Sequence, residues 1–297
     1  MPPRNWPRFA GLAALWGASM VALWIAVGGL GWALAAVLQC LVVAATVTLA
    51  SRGAGARVRL GGPAVPVLVT ALALAVQSAG LAVALGRLGV APAVLMLSAM
   101  PLFAALTGQV WGIDRITGVT AAGLGVGFLG LLFVVAFPAD GDSWAFITGV
   151  LCGLASALAA AFVSRYGPRR LGADPGRAVT ANLLAAAVLS PWLVVSGIGM
   201  PGVGEVAALG LIALAAVGIA PILIVPPRDA AAARFTSGVK LTGMVLALGV
   251  GLVALGDRLT PLQVVGAVLV LCGTLLVSAL LPPRLLRRWR SSGVPRA

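Results

Sequence analysis

The sequence predicts an all-α integral membrane protein of ten transmembrane helices, arranged as two inverted five-helix repeats. Three observations predict it. Of the 297 residues, 61% are apolar and 9% charged, against roughly 45–50% and 25% in an ordinary soluble domain. The arginines divide unevenly between alternate loops, and a short charged motif returns 143 residues after its first occurrence.

Breaking the apolar runs at charges, prolines and glycines places helices over about 9–28, 31–50, 64–85, 92–111 and 117–137 in the first half. The second half gives about 145–165, 178–198, 206–226, 231–255 and 261–281. At about 20 residues per crossing, ten crossings take about 200 residues and leave no room for a separate soluble domain. The first run, behind Arg4 and Arg8, is too long for a signal-peptide core and is followed by further spans.

The 20 Lys+Arg against 7 Asp+Glu give a formal charge of +13. The charges sit between apolar runs, so the excess reads as a topology signal, and nucleic acid is not an expected partner. Cytoplasmic loops collect Lys and Arg. With an internal N-terminus, seventeen arginines from Arg4 to Arg296 fall on one side, and Arg87 and Arg258 on the other. Both termini are therefore expected in the cytoplasm, in a cell inner (plasma) membrane. A miscounted helix would scramble the partition beyond the error, which supports ten crossings over nine or eleven.

Cys40, Cys152 and Cys272 lack CxxC spacing and each lies in an apolar stretch; they read as buried thiols rather than a disulfide framework or metal site. The chain has no histidine, which removes the commonest metal ligand and general base. No cofactor, metal or catalytic residue is expected.

Asp114-Arg115-Ile116-Thr117 returns as Asp257-Arg258-Leu259-Thr260. Gly123 and Gly130 follow the first aspartate at the same distances as Gly266 and Gly273 follow the second. An odd number of crossings per copy makes the copies enter the membrane from opposite sides, an arrangement found in many secondary transporters. The expected units are residues 1–138 and 139–283, with a basic tail over 284–297. Asp114, Arg115, Asp257 and Arg258 read as structural turns at opposite faces.

These motifs resemble the EamA-type ten-helix branch of the drug/metabolite transporter superfamily. That branch typically has Trp-Gly in its first helix, a proline midway along the fourth and ninth, and a Gly-Glu-Arg-Leu turn after each. Trp16-Gly17, Pro101 and Gly256-Asp257-Arg258-Leu259-Thr260-Pro261 match; Asp replaces Glu in both turns, and Met244 stands where the second proline would fall. The resemblance covers nearly the whole chain and implies an inner-membrane carrier, often an exporter of amino acids, other metabolites or drugs.

Lys240 is the only lysine, and it falls in the ninth expected helix. An ionisable group at bilayer depth costs roughly 2.5–3.5 kcal/mol on insertion scales and is by default a functional candidate. Unlike arginine, a buried lysine can lose its proton. It reads either as an anchor or protonation site for an anionic substrate group or, if the helix starts as late as Thr236, as an amine snorkelling to the cytoplasm. Pro101 deprives the carbonyl of Leu97 of its helical partner. That carbonyl either binds a ligand or is met by a neighbour such as Ser98; under the repeat, Leu97 corresponds to Lys240. Gln39, Gln77, Ser78, Ser98 and Thr242, with Trp16 and Trp24, are candidate cavity-lining residues, and interhelical hydrogen bonding is the competing explanation for the polar ones. Gly123 with Gly127, and Gly149 with Gly153, read as close-packing contacts. Trp32, Trp111 and Trp144 read as interface anchors, and Arg284, Arg287, Arg288 and Arg290 as a topology signal or a lipid contact.

A secondary carrier is the leading functional expectation, with a small-molecule substrate and the bilayer as partners and a homodimer left open. The alternative is a membrane-embedded enzyme on a lipid or polyprenyl substrate, for which Asp140 and Asp142 form the closest acidic pair.

Overall fold

In a computed structural model, residues 6–53, 55, 57–111, 116–136, 143–172, 174–196, 202–224 and 230–278 are described. Among them every regular element is a helix. The first half contains α1 (Trp6–Leu30), α2 (Trp32–Gly53), α3 (Ala64–Leu88), α4 (Val90–Ser98), α5 (Met100–Val110) and α6 (Gly118–Ala136). The second contains α7 (Ser143–Arg170), α8 (Pro175–Leu189), α9 (Trp192–Ser196), α10 (Val203–Ile224), α11 (Ala230–Val253) and α12 (Pro261–Val277).

Seven helical runs among the described residues are long and apolar enough to cross a bilayer: α1, α2, α3, α4 continued by α5, α6, α7 and α11. Shorter apolar helices cover Pro175–Leu189, Val203–Ala215 and Pro261–Val277. Large apolar side chains are also exposed, Leu72, Leu132, Leu151, Leu214 and Val268 among them. Water would penalise such a surface and hydrocarbon does not. This is the architecture of a multi-pass helical membrane protein.

Local chemistry sets the helix ends. Asp174 caps α8 by accepting the Gly176 N–H at 2.9 Å, with Pro175 in the first turn. Thr260 opens α12 with a capping box: its hydroxyl accepts the Gln263 N–H at 3.2 Å, and the Gln263 side chain accepts the Thr260 N–H at 2.9 Å. Thr117, its repeat partner, accepts the Thr120 N–H at 3.3 Å ahead of α6. Each recurring motif therefore ends in a helix cap.

Two expected helices are interrupted. The fourth breaks at Ala99, two residues before Pro101, because proline supplies no N–H to continue the ladder. The seventh ends as α8 at Leu189 and resumes as the short α9 after Pro191, for the same reason. The ninth is continuous across Met244, where no proline intervenes.

Neighbouring helices make close contacts at small residues. The first and ninth expected helices run parallel: Phe9 meets Phe235 with ring centroids 5.7 Å apart, and a Cβ on Gly17 would lie 2.7 Å from the Gly243 carbonyl oxygen. Helices α6 and α12 run antiparallel, Gly130 opposite Gly266 and Gly123 opposite Gly273. Helices α3 and α7 are also antiparallel; the Ser156 hydroxyl donates to the Gln77 carbonyl at 2.8 Å, and Gly149 sits against Leu88. Helix α2 opposes α8, with Trp32 against Trp192 at 6.2 Å and Val47 clustered with Val179.

These pairings bring loops together at two ends of the bundle. At one end the Gly61 N–H donates to the Thr180 hydroxyl at 2.9 Å, and Gly176 abuts the Arg59 carbonyl. At the other, Gly29 abuts the Glu205 carboxylate, Val27 approaches Gly86, and the Ala91 N–H donates to Asp257 at 2.7 Å. Among the described residues, Arg52, Arg57, Arg59 and Arg177 belong to the first end, and Arg87 and Arg258 to the second.

Candidate functional site

The site begins with a sequence requirement. Two helices that approach closely need small residues at the crossing, and α1 and α11 supply Gly17 and Gly243. A Cβ on Gly243 would lie 2.7 Å from the Ala13 carbonyl oxygen and 2.8 Å from Trp16 Cδ1. This crossing holds the Trp16 ring against α11. One turn earlier on the same face of α11, the Lys240 Nζ lies over that ring, 5.7 Å from its centroid. A cation at that distance is attracted by the negative face of the π-system.

The expectation that Lys240 snorkels rested on a helix starting at Thr236. Helix α11 instead starts at Ala230, ten residues earlier than Lys240, or about 15 Å along the axis. The apolar stretch of crossing length begins at Phe235, five residues before Lys240, or about 8 Å along the axis. Among the described residues no carboxylate pairs with Lys240.

The Trp16 indole Nε1 is buried without a hydrogen-bond acceptor among the described groups. The Ser19 hydroxyl donates to the Trp16 backbone carbonyl at 2.7 Å. The Gln39 Oε1 on α2 is likewise a buried acceptor with no donor. Orphaned buried polar atoms are uncommon and call for a partner. Two donors, the Lys240 ammonium and the Trp16 N–H, thus belong to one contact between α1 and α11.

Of the other sequence candidates, the structure joins some to this region. Leu97 is 5% exposed and lies in the apolar cluster that contains Met244 and Ala247, with Trp16 and Trp24 packed against it. Thr242 does not share the Lys240 face: two residues along an α-helix are about 200° apart. Gln77 gives its carbonyl to Ser156 of α7, so this backbone group is a packing contact. The Ser78 hydroxyl accepts from Cys40 at 3.4 Å.

Ser98 and Pro101 have a structural explanation that the sequence did not offer. The Ser98 hydroxyl donates to the Leu95 carbonyl at 2.7 Å, not to Leu97. At the break the Leu102 and Phe103 N–H groups both turn to the Ala99 carbonyl. The Ser98 carbonyl is met instead by the Thr274 hydroxyl of α12 at 3.0 Å, both residues being 1% exposed. Thr274 was missed because a threonine in an apolar helix gives no sign of its distant partner.

Asp257 is half-buried, and its carboxylate accepts the Ala91 N–H at the start of α4. Gly89, at φ 84°, gives α4 no side-chain cap; the acid arrives from the second half instead. An anion there answers both the unpaired first-turn N–H groups and the helix dipole. Arg258 is exposed beside it. Asp114 and Arg115 lie outside the described residues, as do Asp140, Asp142 and the arginines after Leu281.

Of the three thiols expected to be buried, one is. Cys40 is buried, Cys152 is intermediate and Cys272 is exposed, because residues on the outer face of an apolar helix need not be buried in protein. Trp32 and Trp111 are engaged by rings of other helices, Trp111 with Phe162 at 5.2 Å, while Trp144 is 75% exposed.

No protein-family model matches the chain, and no curated protein matches it. Ten chains of solved structures do. One, described as "Crystal structure of protein", aligns over 94% of this chain and 99% of its own length, with a TM-score of 0.60 and 19% identity. At that identity the similarity shows a shared fold.

Proposed function

We propose that the chain is a secondary carrier built from two inverted five-helix halves, exporting a small metabolite or drug by alternating access, with Lys240 and Trp16 as the anchor for an anionic substrate group. The observation that carries the reading is the Lys240–Trp16 contact. It sets the chain's one lysine and an orphaned indole N–H on a crossing of helices from different halves.

Helix directions support ten crossings. If every expected span crosses, the first and ninth must be parallel, while the fifth and tenth, third and sixth, and second and seventh must be antiparallel. All four relationships hold in the contacts described above. In this reading the shorter apolar helices also cross, α8 continued by α9.

The packing also supports exchange of the halves. Under the 143-residue offset, α1 corresponds to α7 and α3 to α10, so the pair α3–α7 maps onto α10–α1. Both pairs are in contact, and α2–α8 and α6–α12 map onto themselves. Inverted repeats related in this way place substrate between the halves and transport by rocking one against the other. The EamA-type motifs agree with that mechanism, and the arginine-rich end is assigned to the cytoplasm of an inner membrane.

Comparing metabolite pools and drug tolerance in cells with and without the protein names the substrate class. Counterflow of that substrate in sealed vesicles then tests the carrier reading. Accumulation against preloaded unlabelled substrate is expected; a chemical conversion without movement would assign an enzyme instead.

A further inference from the structure

A groove of about 510 Å³ lies away from the Lys240–Trp16 contact, between α2, the loop at residues 57–60 and α8. Its floor is one stripe of α2: positions 41, 44, 45, 48, 49 and 52 follow the i, i+3, i+4, i+7, i+8 spacing of a single helix face. Leu41, Ala45 and Leu49 are exposed along it, with Leu60 and Leu183 contributing from the loop and α8. The Thr48 hydroxyl is occupied by the Ala44 carbonyl at 2.8 Å. Among the described lining residues Arg52 is the charged one, and it sits in the last turn of α2.

Length, polarity and charge together select an occupant. Leu41 and Arg52 are eleven residues apart, about 16 Å along a helix, and one leaflet of a hydrocarbon core is about 15 Å thick. The groove is therefore apolar over the depth of one leaflet and ends in a guanidinium where a headgroup begins. Among the described residues Arg52 has no ion-pair partner. Arg177, on the neighbouring α8, is by contrast held by Asp174 at 3.3 Å and donates to the Leu171 carbonyl at 2.9 Å. Arg57 and Arg59 are exposed on the adjoining loop, so the headgroup end is strongly positive. A guanidinium matches a phosphate diester through paired N–H donors.

We infer that this groove binds one anionic phospholipid, with an acyl chain along the α2 stripe between Leu41 and Leu49 and its phosphate on Arg52. The lipid braces α2 against α8, elements of the two halves, at the arginine-rich end. The site does not depend on the carrier reading, since it needs only a bilayer.

Native mass spectrometry of the purified full-length protein, equilibrated with phosphatidylglycerol or phosphatidylcholine, tests the site. Wild type is expected to retain phosphatidylglycerol preferentially. One basic contact at an anionic surface corresponds to about a fivefold effect, so Arg52→Gln should lower phosphatidylglycerol retention by about that factor and lower that of phosphatidylcholine, whose phosphate is neutralised by its own choline, by less. Arg52→Lys should keep most of the preference, and Ala45→Trp, which fills the groove, should lower retention of both lipids. Equal retention of the two lipids by wild type overturns the proposal, as does unchanged preference in Arg52→Gln. Displacement of the lipid by millimolar inorganic phosphate would assign a phosphate site instead. Loss of a dimer mass in Ala45→Trp without loss of lipid would assign the groove to a second copy of the chain.

Discussion

Gly130 and Gly266 face each other reciprocally: a Cβ built on either would lie 2.6 Å from the carbonyl oxygen of the other. They are not repeat partners. Gly130 is the later glycine of its copy and Gly266 the earlier of the other, and the remaining two, Gly123 and Gly273, also meet. Crossed pairing of this kind follows when two equivalent helices pack antiparallel about a twofold relation.

Substitution at the crossing should separate packing from helix propensity. Gly130→Ala and Gly266→Ala push a methyl group into backbone, and overpacking of this sort costs about 1–3 kcal/mol. Gly125, on the same helix, has nothing within 4 Å of its Cβ position, so Gly125→Ala should be neutral or slightly stabilising. Thermal unfolding of the three purified variants is the measurement. Equal behaviour of Gly125→Ala and Gly130→Ala would contradict the close approach.

Asp257 should act as a cap delivered across the halves. Its removal as Asp257→Ala takes the acceptor from the Ala91 N–H, a loss of about 0.5–2 kcal/mol by analogy with helix caps. Asp257→Asn keeps an acceptor and should lose less. Unfolding temperature and membrane yield of the two variants check the order; identical loss would mean that the charge rather than the hydrogen bond dominates.

Thr274→Val should destabilise by leaving the buried Ser98 carbonyl without its donor, about 1–3 kcal/mol for an unsatisfied polar group. The Pro101→Leu change tests the same break from the other side. With the break relieved, the Leu102 N–H can return to the Ser98 carbonyl, its helical acceptor, so the double variant should be less destabilised than the sum of the single changes. Strict additivity in thermal unfolding would separate the two features.

The bundle was readable in the sequence because apolar runs of crossing length and their interruptions depend on local composition. The recurring glycines were readable as a repeat, but that the two sets pack against each other was not. Partner choice was not readable. Helices that are apolar on every side carry no amphipathic stripe to show which face packs where, so the Asp257–Ala91 and Thr274–Ser98 contacts have no sequence signature. The helix over 231–255 was readable to within a residue of the start of α11 at Ala230; the depth of Lys240 was not, because Arg234 lies inside that helix and a helix end is not a membrane boundary.

Lys240 also gives the account its sharpest test: counterflow in vesicles reconstituted with wild type, Lys240→Met and Lys240→Arg, using the substrate identified from the pool comparison. Lys240→Met should remain folded, since methionine suits an apolar helix face, and transport of an anionic or zwitterionic substrate should fall at least about tenfold, the equivalent of one lost contact of about 1.4 kcal/mol. Lys240→Arg should retain binding if the amine serves as an anchor, and lose turnover if it must release a proton. Wild-type counterflow by folded Lys240→Met would contradict the central claim that the Lys240–Trp16 contact holds the substrate.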